Sequence, residues 1–284
     1  MKIRIGTRGS KLALYQANFV KNQIEKEYPE MECELVIIST KGDKLQNVSF
    51  QKLKSKTIFI DEIETKLRNH EIDLAVHSMK DLPAKIHEDF ILTKCINRSA
   101  VEDVLVLKEG KSMNEPLHIG TGSIRRKVQL EYLYPNMEIM DIRGNVDTRL
   151  RKVEEGIVDG IVLAKAGLVR LGLQDKITYT FPVQELIPAC MQGALAIELR
   201  KEDQELLEKI NAFSQEDIEE CLQIEREYMM RMNGNCTVPL GAICTKENGL
   251  YTLNAFYENR NHTYHKTGEN AQNLLEEAIR SHYE

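Results

Sequence analysis

The chain has 284 residues, of which 42% are hydrophobic and 29% charged, and its formal net charge is −6. This length suggests about two domains and allows a buried core without support from disulfides or a metal. No apolar run reaches the roughly 18 residues of a membrane-spanning helix, so the composition excludes a membrane protein, a disulfide-rich secreted scaffold and a disordered chain.

The first third of the chain alternates strand-like and helix-like segments. Apolar runs at residues 3–6, 34–39 and 73–76 predict strands, and residues 12–27 and 59–68 predict helices, the first of them capped by Ser10. Strands that alternate with helices favour a parallel sheet covered on both faces. In such sheets ligands bind at the carboxyl ends of the strands.

The alternation continues after residue 98. Predicted strands lie at 104–107, 118–120, 138–142 and 160–164, and glycine-containing turns and helical segments follow them. Strand 193–200 and helix 204–210 can return to the first domain. Helix 217–232, strands 238–245, 250–257 and 263–266 and helix 271–283 then predict a small α+β unit. We therefore expect three domains: residues 1–97 with 194–214, residues 98–193, and residues 215–284.

Charge is divided unevenly along the chain. Residues 1–193 contain 29 Lys and Arg against 27 Asp and Glu, whereas residues 194–284 contain 9 against 17. The excess acid thus lies wholly in the last third, and a site for an anionic ligand is expected in the first two thirds. The net acidity argues against nucleic acid as a partner.

Cysteine usage indicates a reducing compartment. The six cysteines contain no CxxC pair and no spacing typical of a metal site, and the first residues, MKIRIGTRGS, contain no apolar leader. We therefore expect a cytoplasmic protein with reduced cysteines, no metal and no membrane partner.

Arginines cluster at turns that follow predicted strands. Glycine, serine or threonine accompanies each of them near a helix start, where backbone N–H groups and guanidinium donors together suit carboxylate or phosphate. One such turn is equally well explained by helix capping. Several of them favour an anion-binding cleft, although neither GxxxxGK[ST] nor GxGxxG is present. The residues are Arg8, Arg125, Arg126, Arg143, Arg149 and Arg170, with Lys52 and Lys56 in an intervening stretch.

Two further residues stand out by their position. Asp81 follows a predicted buried strand in HSMKD, where α/β proteins place catalytic groups, although helix capping also explains an aspartate there. The neighbouring His77 is more typical of a hydrogen-bonded, semi-buried histidine than of a catalyst. Cys236 lies in the loop NGNCTVPLG, which would expose its thiol.

These segments together resemble the porphobilinogen deaminase family, also called hydroxymethylbilane synthases. The resemblance spans nearly the whole chain, in the order IGTRGSKLAL, DLAVHSMKDLP, GTGSIRR, IRGNVDTRL, AKAGLVRLGL, PACMQGALAIE and MNGNCTVPLGA. It implies two periplasmic-binding-protein-like α/β domains around a cleft and a small α+β C-terminal domain. It also implies a monomeric transferase that joins four porphobilinogen molecules head to tail, with loss of ammonia, into the tetrapyrrole hydroxymethylbilane.

The resemblance also implies a role for individual residues. Asp81 corresponds to the catalytic aspartate, and Cys236 to the cysteine that holds a dipyrromethane cofactor through a thioether. Residues expected to bind the cofactor are Ser78, Lys80, Asp81, Thr121, Ser123, Arg125, Arg126 and Arg143. Residues expected to bind the substrate are Arg8, Ser10, Lys52, Lys56, Arg149, Arg170 and Gln192.

The chain departs from the family pattern at several positions. Asp61 replaces a usual lysine after the Phe-aliphatic pair, Ser55 and Thr57 replace glycines, Met191 replaces Gly or Pro, and Asn235 replaces a Gly beside the loop cysteine. None of these positions carries the expected chemistry. Two alternatives follow: a solute-binding or sensor module with the same two-domain cleft, and an inactive relative with the same fold.

Overall fold

The computed structural model of the protein describes residues 1–40, 60–233 and 238–283, without the side chains of residues 260–262. The expectations for Lys52, Lys56 and Cys236, and the departures at Ser55, Thr57 and Asn235, lie outside the described residues. The described part of the chain forms two compact units. The first contains residues 1–40, 60–99 and 194–219, and the second contains residues 100–193 and the described residues from 220 onward.

The first unit is a five-stranded sheet with helices. Its strands, in the sheet order β2-β1-β3-β10-β4, are β1 Lys2–Thr7, β2 Glu32–Ile37, β3 Leu74–Ser78, β4 Phe90–Leu92 and β10 Leu195–Arg200. The helices are α1 Lys11–Glu27, α2 Asp61–Arg68 and α6 Gln204–Asn211.

Apolar residues on both faces of this sheet explain its two helical layers. On one face Val20 and Ile24 of α1 pack in a core cluster with Ile3 and Ile5 of β1. On the other face Ile63 and Leu67 of α2 pack with Ile72, Ala75 and Phe90. Successive strand residues point to opposite faces of a sheet, so the side chains of His77 and Ser78, at the end of β3, lie in different layers.

The second unit contains two sheets. A five-stranded sheet has the order β7-β6-β8-β5-β9 and a three-stranded antiparallel sheet the order β11-β12-β13. The strands are β5 Asp103–Leu107, β6 Leu117–Gly120, β7 Met137–Met140, β8 Gly160–Ala164, β9 Tyr179–Thr180, β11 Leu240–Glu247, β12 Leu250–Tyr257 and β13 Asn259–Gly268. The helices are α3 Ile124–Leu133, α4 Val146–Glu154, α5 Lys165–Arg170, α7 Glu216–Arg231 and α8 Ala271–Ser281. Residues 216–219 of α7 belong to the first unit and the rest of α7 to the second.

The α/β class predicted from the sequence is confirmed, but the expectation of parallel sheets is wrong. Strands β1, β2 and β3 are parallel, whereas β10 runs antiparallel to β3 and β4. Likewise β5 runs antiparallel to β8 and β9. Residues 100–193 of the second unit separate β10 from β4 in the sequence, so no short βαβ crossover determines the direction of β10. The division into three domains stays a prediction.

Candidate active site

A pocket in the first unit collects four of the residues predicted from the sequence. Arg8, Ser10, Ser78 and Asp81 line it, and its volume is about 520 Å³, part of which is open solvent. Arg8 and the two serines are half-buried, whereas Asp81 is exposed. The pocket therefore offers a guanidinium, two hydroxyls and a carboxyl group to a small polar ligand.

Asp81 owes its position to the end of β3. The strand stops at Ser78, and residues Met79–Asp81 form a single 3₁₀ turn. The Met79 N–H donates to the Ala194 carbonyl at 3.0 Å, and the Leu82 N–H donates back to Met79 at 3.2 Å. These bonds anchor the turn to the strand beside it. Asp81 thus lies just beyond the carboxyl end of a buried strand, as the sequence predicted.

Gln16 is a pocket residue that the sequence reasoning missed. It lines the pocket from α1 and is buried, and its Nε2 lies 2.8 Å from Ser78 Oγ, to which it donates. Ser10 begins the same helix as its N-cap, because its Oγ accepts from the Ala13 N–H. A polar residue on the buried face of a predicted helix was the available signal, since buried amides need a partner.

His77 faces the other layer of the sheet. Its Nε2 lies 2.9 Å from Glu198 Oε2 on β10, and both side chains are buried. The sequence interpretation of His77 as a hydrogen-bonded, semi-buried histidine is therefore correct in its geometry. Its partner lies 121 residues away along the chain.

In the second unit, the turn after β6 holds Thr121 and Ser123. Thr121 is buried, and its Oγ1 accepts from the Ser123 N–H at 3.2 Å. Ser123 is the N-cap of α3, with its Oγ accepting from the Arg126 N–H. The predicted cluster of hydroxyls at a helix start is present, and here it caps α3.

Arg125 and Arg126 both contact one buried carboxylate, Asp103. Arg125 Nη2 lies 2.8 Å from Asp103 Oδ2, and Arg126 Nη2 lies 2.7 Å from Asp103 Oδ1. Burial lowers the pKa of the Arg125 guanidinium, and the charge of Asp103 opposes that shift. Each arginine also donates to a carbonyl, that of Ile187 or Val162. Both predicted anion-binding arginines thus have an anion within the protein.

Gln192 joins the same buried network. Its Nε2 donates to Asp103 Oδ1 at 2.9 Å and to the Val101 carbonyl at 2.7 Å. The preceding Met191 has a positive φ of 61°, a conformation that costs a side-chain-bearing residue energy and explains why Gly suits this position in the family pattern. The Met191 N–H donates to Glu225 of α7, which also accepts from the Cys244 N–H of β11.

Arg143 lies in the turn between β7 and α4, and Arg149 lies in α4. Arg149 Nε donates to the Gly144 carbonyl at 2.8 Å, and Gly144 has a φ of 116° with no room for a Cβ against Thr148. Burial lowers the pKa of the half-buried Arg143 guanidinium, against the charge of Asp141. Arg170 is buried at the end of α5, and its Nη2 donates to the Gly193 carbonyl at 2.6 Å.

The predicted site residues thus fall into two groups. Arg8, Ser10, Ser78 and Asp81 line the pocket of the first unit. The half-buried Lys80 lies in the 3₁₀ turn that carries Asp81. The other predicted site residues in the described ranges belong to the second unit, where Arg125, Arg126 and Gln192 all contact Asp103. Within the described ranges no helix is long and apolar enough to cross a membrane, and no cluster of His, Cys, Asp or Glu could hold a metal ion.

Comparison with known proteins agrees with the sequence motifs. A family model described as "porphobilinogen deaminase, dipyromethane cofactor binding domain" matches residues 3–208. A porphobilinogen deaminase of Clostridioides difficile (strain 630) is 45% identical over 248 residues, which cover 86% of this chain and 82% of the relative. One of Lachnospira eligens is 46% identical over 255 residues, covering 88% and 86%. A solved periplasmic binding protein of Salmonella typhimurium with high arginine specificity covers 75% of this chain and 91% of its own, at 15% identity and a TM-score of 0.45.

Proposed function

The chain belongs to the porphobilinogen deaminase family, and on that premise we propose that it joins four porphobilinogen molecules into hydroxymethylbilane with Asp81 as the catalytic acid–base group. One observation carries the assignment of the site: Asp81 lines a single pocket with Arg8, Ser10 and Ser78. The substrate carries an acetate, a propionate and a pyrrole N–H. A guanidinium and hydroxyls suit the carboxylates, and a carboxylate suits the ring N–H.

Asp81 can do the proton chemistry that the joining reaction needs. Each step breaks the bond between carbon and the amino group of the incoming substrate and forms a carbon–carbon bond in its place. Ammonia leaves with a proton gained, and the ring carbon that forms the new bond loses one. A single carboxyl group in the pocket can give a proton to the leaving amine and afterwards take up the proton that the ring carbon releases. In between, its negative charge offsets positive charge that develops on the pyrrole.

The polar residues of the second unit fit a cofactor that carries several carboxylates. When bound, the dipyrromethane supplies the pyrrole carbon to which the first substrate is joined. We assign its attachment to Cys236. Arg125, Arg126 and Arg143, together with Thr121 and Ser123, would hold its carboxylates. Guanidinium and hydroxyl donors in partly buried surroundings favour such anions, because the cost of burying a guanidinium falls when it gains a counter-charge.

Replacing Arg143 with leucine tests the carboxylate role of this arginine. We expect cofactor loading or chain elongation to fall about 10–100-fold, since a charge-assisted hydrogen bond contributes about 1.5–3 kcal/mol. Intact-protein mass spectrometry during turnover would reveal the unloaded protein or stalled partial chains. The matched control is Arg151→Leu, an exposed arginine of α4 whose guanidinium pairs with Glu155 on the surface. Wild-type loading and rate in the Arg143 variant would contradict the assignment.

The mass of the purified protein tests the proposed function most directly. We expect an excess equal to one dipyrromethane, lost in Cys236→Ser and kept in Cys33→Ser. Cys33 is a suitable control because burial raises the pKa of its thiol to about 11, so that little thiolate forms near neutral pH. An unmodified wild-type mass without consumption of porphobilinogen would instead favour the solute-binding module or the inactive relative.

We infer further that the enzyme works in the cytoplasm as a monomer, with porphobilinogen as its small-molecule partner. The five cysteines in the described ranges are free and buried, which suits a reducing compartment. The net charge of −6 supports the expectation that nucleic acid is no partner. Native mass spectrometry of the same samples measures the oligomeric state.

A further inference from the structure

A buried imidazole–carboxylate pair lies beneath the proposed catalytic turn. His77 is 8% exposed and Glu198 is 0% exposed, and His77 Nε2 lies 2.9 Å from Glu198 Oε2. Glu198 Oε1 is also buried and has no hydrogen-bond partner within the part of the chain that the structure describes. A buried carboxylate is unfavourable unless it is paired, so the stability of ionised Glu198 depends on His77.

The surroundings of the pair are apolar apart from a few titratable groups. Register places His77, Ala75 and Glu198 on the face of the sheet that α2 covers, beside Ile63 and Leu67. The titratable groups that act on this layer from the other elements are Glu64 and Asp61 of α2 and His87 of the loop before β4. Arg8 and Asp81 line the pocket that His77 also lines.

The pKa of the Glu64 carboxyl depends on the charges in this layer. Burial raises the pKa of the Glu64 carboxyl, the charge of Glu198 raises it further, and His77 lowers it. Two carboxyl groups therefore share one nearby imidazole. An imidazolium at His77 would offset the negative charge of both carboxyl groups, because opposite charges stabilise each other at short range.

The pair is directly connected to the catalytic turn. His77 and Ser78 are the last residues of β3, and their side chains enter opposite layers, where Glu198 holds one and Gln16 the other. The turn that carries Asp81 begins at the next residue. His77 itself lines the pocket with Asp81. The orientation of the His77 imidazole therefore affects both the backbone of the turn and the electrostatic potential at the Asp81 carboxyl group.

We propose that His77 and Glu198 are positioning residues for Asp81, and that the protonated pair is the form that supports turnover. This rests on the proposed function, in which Asp81 is the acid–base group. Loss of the proton from His77 leaves Glu198 without a counter-charge and weakens the bond that fixes the end of β3. Turnover should therefore fall at high pH, where the pair loses its shared proton.

Glu198→Gln is the decisive variant, because it keeps the shape and the acceptor oxygen but removes the charge. We expect the descending limb of kcat to move to lower pH by about one unit or more, since an opposite charge at this distance shifts a pKa by about 1–3 units. KM should stay within about twofold, because neither residue is assigned to a substrate carboxylate. The matched control is Glu202→Gln, an exposed glutamate four residues further along, which should leave the profile unchanged.

NMR of ¹⁵N-histidine-labelled protein gives a readout that needs no turnover. The His77 resonance, assigned by its loss in His77→Gln, should titrate at lower pH in Glu198→Gln than in the wild type. If Glu198→Gln does not fold, His77→Gln replaces it in the kinetics, and its kcat profile should lack the descending limb. Superimposable kcat profiles, or an unchanged His77 titration, would overturn the proposal. A wild-type protein that consumes no porphobilinogen would contradict the proposed function instead, and the NMR titration would still decide whether the pair is coupled.

Discussion

Asp81→Asn should lower the turnover of porphobilinogen by a factor of about 10²–10⁴ and leave the protein folded. That factor is the usual contribution of a positioned acid–base group, and asparagine fills the same space without accepting or releasing a proton. Folding should survive because the Asp81 side chain is exposed and the turn around it is held by backbone bonds from Met79 and Leu82. Steady-state kinetics measures the rate, and circular dichroism with thermal unfolding measures the fold.

Asp89→Asn is the matched control for this prediction. Asp89 is also an exposed aspartate of the first unit, and its carboxylate pairs with Arg68 on the surface. Exposed pairs contribute about 0–1 kcal/mol, so this variant should keep its activity and nearly all its stability. An Asp81 variant that kept more than about a tenth of the wild-type rate would contradict the acid–base role. Loss of the cofactor in that variant would indicate that Asp81 binds the cofactor instead of transferring a proton.

Local sequence patterns predicted the parts of the fold that local physics determines. Apolar runs located β1, β3 and β8, and the N-cap signal at Ser10 marked the start of α1. The position of Asp81 followed from the same reasoning, because it depends only on the end of a buried strand. Strand direction was not predictable in this way. The antiparallel entry of β10 depends on where the chain returns after the second unit.

The partners of the buried polar residues could not be predicted from the sequence either. Gln16 bonds Ser78 across 62 residues, His77 bonds Glu198 across 121, and Arg126 bonds Asp103 across 23. No spacing rule connects such pairs, because tertiary packing brings them together. Each is nevertheless suggested in part by a polar side chain inside an apolar run, which must find a partner when it is buried.

The arginine pattern in the sequence does not identify the anion that each guanidinium contacts. GTGSIRR predicts two guanidiniums aimed at a ligand, but both contact Asp103, a carboxylate in the protein interior. An arginine has five N–H donors, so contact with Asp103 leaves others for a second anion. Asp103 can thus serve as the fixed counter-charge that keeps Arg125 and Arg126 in place before any ligand carboxylate arrives.

Asp103→Asn should therefore destabilise the protein more than any other single substitution considered. It leaves two buried guanidiniums without their counter-charge, and breaking a buried ion pair from one side costs about 3–5 kcal/mol. Gln192 also donates to this carboxylate, so the loss extends to the turn that carries Gln192. Urea unfolding followed by circular dichroism measures the effect. Glu154→Gln, which removes an exposed pair with Lys176 in the same unit, should change stability by less than about 1 kcal/mol.

Comparing loaded and unloaded protein distinguishes the two roles of these arginines. If Arg125 and Arg126 also hold carboxylates of the dipyrromethane, the cofactor supplies part of the missing negative charge. Asp103→Asn should then cost less stability in the loaded protein than in a Cys236→Ser background, which cannot attach the cofactor. Equal losses in the two backgrounds would mean that both guanidiniums serve the protein interior alone. The carboxylate-binding role would then fall to Arg143, Arg149 and the pocket residue Arg8.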